Sequence, residues 1–395
     1  MKHLLNLLTL LCCLGGVFST QALALPRPGQ LDDVAGVPGK RGYGGDGGDA
    51  LRARLGSPMG LAVDARGNIY ISDTLNHRVR RVDIRTGEID TVAGTGKKGF
   101  ENDGGNADMA TLNGPTGLAF DSLGNLYIAD TGNNRIRMLT PKGYLYTVAG
   151  DGRKGYNGDG LRPLSSTLNN PTGVTVSPRG ELHIADTGNN RIRKIDRHSG
   201  FLVNVAGNGE AGDSGDFDLA QNARLNKPSA LVFDSYGNLF IADTGNHQVR
   251  WVEPKRHLIF TIAGTGKRGF SGEGDRKCTD SAFSNPTGLA VDKDGRLYIS
   301  DTDNQRIRRL TVESRMDSKV VTVAGSGERG YNGDGLDAWN TDLAYPGAMV
   351  ITRHNLLYFV DTGNNLVRRV TAISTVEPPV KYTDYGKPES QPDER

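Results

Sequence analysis

The sequence predicts an all-β chain folded as a six-bladed β-propeller of four-stranded antiparallel blades, with the N-terminal strand completing the last blade. Three observations lead there. An Asp-Thr-x-Asn segment recurs six times, beginning at Asp73, Asp130, Asp186, Asp243, Asp301 and Asp361, in steps of 57, 56, 57, 58 and 60 residues. A second marker, a β-branched residue followed by Ala-Gly, recurs in phase with the first, at Val34, Val92, Val148, Val205, Ile262 and Val323. Thirdly, the residues between the markers read as short strands separated by turns, and fixed-period self-similarity of this kind marks a repeat architecture.

One copy shows the strands. Pro115 to Asp121 is a short apolar run, and Leu123-Gly124-Asn125 is a turn, since glycine takes positive φ without penalty. Leu126 to Ala129 is a second strand. Asp130 to Asn134 turns again into Arg135 to Leu139, where charged and apolar residues alternate with strand period, and Tyr144 to Ala149 is a fourth strand. Five copies carry a turn glycine at Gly67, Gly124, Gly180, Gly237 and Gly295; the sixth has Asn355, the next residue tolerant of a left-handed turn. A lone meander leaves both faces half buried, and stacking blades about an axis covers them.

The ends of the repeat predict how the ring closes. An orphan fourth strand, Leu31 to Gly36, precedes the first blade, and the last blade, Ala348 to Ala372, has three strands. The first segment is therefore expected to complete the last blade. The domain plan is a signal peptide over 1–24, the propeller over 30–374 and a Pro-rich disordered tail over 375–395.

The start reads as an export signal. Lys2 and His3 precede an apolar run, Leu4 to Val17, and Ala22-Leu23-Ala24 is a small-x-small cleavage pattern, so the mature chain is expected to begin near Leu25 and to be periplasmic or secreted. The run is too short to span a bilayer, which takes about 20 residues, and no membrane span is expected. Cleavage would remove Cys12 and Cys13 and leave Cys278, so no intramolecular disulfide can form in the exported chain.

Charge narrows the partners. Lys and Arg number 47 against 45 for Asp and Glu, a net charge of +2. Nucleic-acid binding draws on a basic excess that is missing here, so the expected partner is a protein or a glycan.

Gly-Leu-Ala-x-Asp at Gly60, Gly117 and Gly288, Gly-Asn-Leu-Tyr-Ile-Ala-Asp-Thr-Gly-Asn over Gly124 to Asn133, and Asn-Arg-Ile-Arg together resemble the NHL repeat. The resemblance covers Leu31 to Ala372 and departs at Gln248 and Leu366, which replace the first arginine in blades four and six. It implies an interaction platform that binds protein, RNA or glycan through one rim. Two enzymatic relatives are weighed. The amidating lyase of this architecture holds zinc through histidines just after the proline that opens the innermost strand, where this chain has Met59, Thr116, Thr172, Ser229, Thr287 and Gly347, so that chemistry is disfavoured. Gluconolactonase-like propellers hold calcium at the channel mouth with carboxylates and an asparagine; calcium is thereby the one cofactor allowed for, and a metal-assisted hydrolase or lyase is the alternative to a binding module. No catalytic residue and no metal ligand set is nominated.

Candidate site residues fall in two sets. The turn aspartates Asp73, Asp130, Asp186, Asp243, Asp301 and Asp361 recur in every blade, which favours a structural role bonding turn amides or arginines over a ring of calcium ligands. The Arg-x-Arg pairs, such as Arg135 with Arg137, share one strand face and are expected to form inter-blade ion pairs. Long loops between blades carry Gly-aromatic-x-Gly-Asp-Gly or looser forms, placing Tyr43, Phe100, Tyr156, Phe270 and Tyr331 at equivalent positions. These rings either form a recognition rim or plug their own loops onto the propeller. Function should otherwise sit where the repeats differ: at His77 and His247, too far apart to share a metal, and at His183, Trp251, Trp339, Tyr345 and Cys278.

Overall fold

The computed structural model of the chain describes residues 29–273, 277–312 and 318–371. The expected signal segment and the expected tail lie outside these. Six antiparallel sheets are present. Blade two is representative, with strands Pro115–Phe120, Leu126–Asp130, Arg135–Leu139 and Leu145–Ala149 from inside to outside. In the last blade, Gln30–Ala35 pairs antiparallel with Leu366–Val370, Leu31 opposite Val370 and Asp33 opposite Arg368. Blades one and six differ from a four-stranded plan by a fifth, two-residue outer strand, Gly48–Asp49 and Leu336–Asp337, because the incoming loop crosses the outer edge of each. No helix among the described residues is long and apolar enough to cross a membrane.

The turn glycines do what their positions require: Gly67, Gly124, Gly180, Gly237 and Gly295 have φ between 81° and 91°, and Asn355 has φ 57°. The two sequence markers are in phase because they touch. After each Asp-Thr-x-Asn turn comes a left-handed residue, His77, Asn134, Asn190, His247, Gln305 or Asn365. Its carbonyl packs against the glycine of the Ala-Gly marker, so closely that a Cβ at Gly94 would stand 2.4 Å from His77 O and one at Gly150 2.3 Å from Asn134 O.

Hydrophobic packing is organised by seam. Each of six buried clusters joins two adjacent blades, for instance Leu118, Leu126 and Ile128 of blade two with Val79 and Ala93 of blade one. The leucine or phenylalanine of each loop's return, Leu55, Leu112, Leu168, Leu225, Phe283 and Leu343, is fully buried. Cys278 is also fully buried.

Two rings of hydrogen bonds lock the seams. In the first, the turn threonine donates to the carbonyl of the proline that opens the next blade: Thr74 to Pro115, Thr131 to Pro171, Thr187 to Pro228, Thr244 to Pro286, Thr302 to Pro346 and Thr362 to Pro58, all at 2.6–2.8 Å. In the second, the left-handed residue accepts from a backbone N–H of the next blade. Gly114 donates to His77 Nδ1, Asn170 to Asn134, Lys227 to Asn190, Asn285 to His247 Nδ1, Tyr345 to Gln305 and Ser57 to Asn365, at 2.7–3.1 Å. His, Asn and Gln share this position because each presents an acceptor there.

His77 and His247 thus work as neutral acceptors, and a protonated imidazole has no lone pair to offer. Burial, then Lys98 and Arg78, holds the His77 pKa below 6.5; burial, then Arg268, lowers that of His247, with Asp303 opposing. A depressed folded-state pKa contributes stability that is present above pH 6.5 and lost as pH falls through the folded value. The double variant His77→Asn/His247→Asn, which installs the residue of blades two, three and six, is expected to match the parent in denaturant midpoint at pH 8 and exceed it at pH 5. Parallel stability curves from pH 8 to 5 would contradict the acceptor role.

Candidate functional site: the loop rim

The turn aspartates face the blade interior and are fully buried. In every blade one carboxylate oxygen accepts a backbone N–H from the incoming loop: Gly56, Asn113, Asn169, Asn226, Ser284 and Ala344 donate in turn, at 2.6–2.8 Å. The turn asparagine donates to the same carboxylate, as Asn133 does to Asp130 at 2.8 Å. A fully buried arginine two residues into the third strand completes the set: Arg80, Arg137, Arg193, Arg250, Arg308 and Arg368 lie 3.2–3.7 Å from their aspartates. Burial pushes the carboxyls of Asp186, Asp243, Asp301 and Asp361 up to about 6, against the pull of these donors.

Each buried arginine has a second acid. Asp46, Asp103, Asp159, Asp216 and Glu273, all from the incoming loops, reach Arg80, Arg137, Arg193, Arg250 and Arg308, and Asp33 reaches Arg368 at 2.8 Å. The expected inter-blade ion pairs are therefore corrected: both acids belong to the arginine's own blade or its incoming loop. The loop folds back over the blade it introduces, which brings its acid within reach. In blades one, two, three and five, two acids with the two arginines of the strand also leave the cluster close to neutral. With their oxygens taken by backbone, asparagine and arginine, the six turn aspartates do not fit a ring of calcium ligands. Among the described residues, no three His, Cys, Asp or Glu side chains converge as a metal site.

The loop aromatics stand on this framework. The turn asparagine donates to the carbonyl of the residue just before each ring: Asn76 to Gly42, Asn133 to Gly99, Asn189 to Gly155, Asn304 to Gly269 and Asn364 to Gly330. The first arginine of the strand then lies under the ring, with Arg78 3.7 Å from the Tyr43 centroid, Arg135 3.7 Å from Phe100, Arg191 4.2 Å from Tyr156 and Arg306 4.1 Å from Phe270. A guanidinium over a ring at this range is attractive. Tyr331 has no first arginine, since Leu366 stands there, and stacks on Arg368 at 5.0 Å. The phenols add a tether: Tyr43 donates to Asp46, Tyr156 to Asp159 and Tyr331 to Asp33, at 2.6–2.7 Å.

So the rings are anchored, yet not covered. Tyr43, Phe100, Tyr156 and Phe270 keep 36–44 % of their surface exposed, and Tyr331 is half-buried. Because each sits beside an Asp-Thr-x-Asn turn, all five share one rim. Blade four breaks the pattern at two positions together: Asp213 replaces the aromatic and Gln248 the first arginine. That paired exchange was readable in the sequence by aligning the repeats, and it signals the stacking contact. The single residues scatter. His77 and His247 are seam latches, Trp251 is buried in the core, and Trp339 is 62 % exposed on an outer loop.

Comparison with known proteins gives the family. The NHL repeat model matches residues 112–138 and 283–310, and the Teneurin NHL domain model matches 33–101 and 161–253. Protein SUPPRESSOR OF QUENCHING 1, chloroplastic, of Arabidopsis thaliana is 30% identical over 282 residues, covering 69% of this chain and 26% of its own length. Human NHL repeat-containing protein 2 is 29% identical over 291 residues, covering 66% of this chain and 39% of its own length. The chain thus spans between a quarter and two fifths of these curated relatives. Among solved structures, an auxiliary nutrient binding protein from Bacteroides thetaiotaomicron superposes with a TM-score of 0.61 at 15% identity, over 86% of this chain and 75% of that one, a likeness of fold alone. Six blades locked by the Asp-Thr-x-Asn turn, together with these matches, make the chain a member of the NHL-repeat family of six-bladed β-propellers.

Proposed function

We propose that the chain is an exported binding module that recognises a protein or glycan partner on the rim carrying Tyr43, Phe100, Tyr156, Phe270 and Tyr331. The observation that supports this reading is the state of those rings: anchored on arginines from beneath, oriented by the turn asparagines, and exposed on the remaining surface. A side chain already fixed in one geometry loses little freedom on binding, so its contact surface converts to affinity with less entropic loss. Ring faces also suit both of the proposed partner classes, since aromatic anchors dominate protein recognition and stack on the apolar face of a sugar. Export rests on the signal-like first 24 residues. The test is a glycan array and an envelope-protein binding screen with the parent and with Phe100→Ala/Tyr156→Ala, using Leu123→Ser/Lys142→Ala on the opposite rim as the control pair. The rim pair is expected to weaken the captured ligand at least tenfold and the control pair to leave it unchanged. Equal binding by both pairs, or metal-dependent turnover of a lactone or ester by the purified parent, would count against this function.

On the same reading the turn aspartates carry stability and not recognition. Asp243→Ala leaves the buried Arg250 with the half-exposed Asp216 as its remaining acid, and breaking a buried pair from one side costs about 3–5 kcal/mol. Asp243→Asn, which retains an acceptor for the Asn226 N–H, is expected to cost less. Urea unfolding measures both, and a loss below about 1 kcal/mol for Asp243→Ala would show the network to be dispensable.

A further inference from the structure

The repeat supplies its own reference for every seam. At the second position of the second strand, five blades place a large ring, Tyr70, Tyr127, Phe240, Tyr298 or Tyr358, and blade three places His183. At the fourth position of the third strand, Trp251 of blade four is fully buried, stacks on Phe260 with centroids 5.0 Å apart and donates Nε1 to Asn238 at 3.0 Å. Its counterpart in blade three is Lys194, which stands on the wall of the seam between blades three and four and pairs with Glu181 at 2.9 Å and Asp196 at 3.4 Å. A smaller ring and an ion-paired lysine leave that seam open. The result is a cavity of about 590 Å³, within the range of small-molecule sites. Phe233, Tyr236, Val252 and Pro254 supply apolar walls.

Two acceptors border this cavity without a donor. His183 Nδ1 lies 3.0 Å from the Glu181 carbonyl, so Nδ1 carries the hydrogen and Nε2 keeps its lone pair. Nε2 has no hydrogen-bond partner among the described residues. Burial holds the His183 pKa down to about 4, and the ring is neutral at physiological pH. Asn204 Nδ2 donates to Gly207 O at 2.8 Å, which fixes the amide orientation and leaves Oδ1 buried with no partner. Asn204 Oδ1 is a buried acceptor without a donor, which is costly, and both acceptors belong to side chains on the cavity wall.

We propose that the seam between blades three and four binds a one- or two-ring phenol, its ring filling the space that Trp251 fills one seam further on and its hydroxyl donating to His183 Nε2. The site is separate from the loop rim and stands whether or not the rim binds a partner. Calorimetric titration of the full chain with 2-naphthol and with naphthalene tests it. One molecule of 2-naphthol per chain is expected to bind, at least tenfold tighter than naphthalene. His183→Phe, which installs the side chain of Phe240, should bring 2-naphthol to the affinity of naphthalene. Lys194→Trp, with the same melting transition as the parent, should abolish binding of both. No saturable binding of 2-naphthol to the parent, equal affinity for the two probes, or undiminished binding of 2-naphthol by His183→Phe would overturn the proposal.

Discussion

Everything in this molecule hangs on the turn Asp-Thr-x-Asn and the left-handed residue after it, because each of its side chains ties the turn to a different neighbour. The aspartate holds the incoming loop and the buried arginine, and the asparagine holds the backbone beneath the loop aromatic. The threonine and the left-handed residue reach across to the next blade. Net gains of about 1 kcal/mol per hydrogen bond are small singly, but twelve such links form two closed rings. Closure matters because Thr362 to Pro58 and Ser57 to Asn365 join the last blade to the first. The pairing of Leu31 with Val370 does the same through the backbone. A ring latched in this way needs no disulfide.

Much of this was legible beforehand. The period, the turn glycines and the Asn355 substitution follow from backbone geometry, which a repeated sequence exposes directly. The partners of the arginines were not. Arg137 was expected to reach another blade, and it binds Asp130 and Asp103 instead. Alternation along a strand says which face a side chain takes, and nothing about where a long loop will fold back. His77 and His247 escaped for a related reason: their role depends on a neighbouring blade's N–H, and no spacing within one repeat reveals it. The paired change to Asp213 and Gln248, by contrast, lay open to anyone aligning the copies.

Shared residues build the disc, and departures from the repeat give it two unlike regions. On the rim the departures are few, and five anchored rings follow the blade spacing with one polar gap at Asp213. In the seams they are larger, ranging from the packed Trp251 to the open space beside His183. A propeller tolerates such variation because each seam is packed as its own hydrophobic cluster, so a change in one leaves the others intact.

The closed-ring account is tested most directly by hydrogen exchange at the six latch amides, Ser57, Gly114, Asn170, Lys227, Asn285 and Tyr345. If both rings are closed, these six exchange together and only through global unfolding, with a common protection factor. Exchange of Ser57 several orders of magnitude ahead of the other five would show the seam between blades six and one to open alone, and the ring would not be the unit of stability.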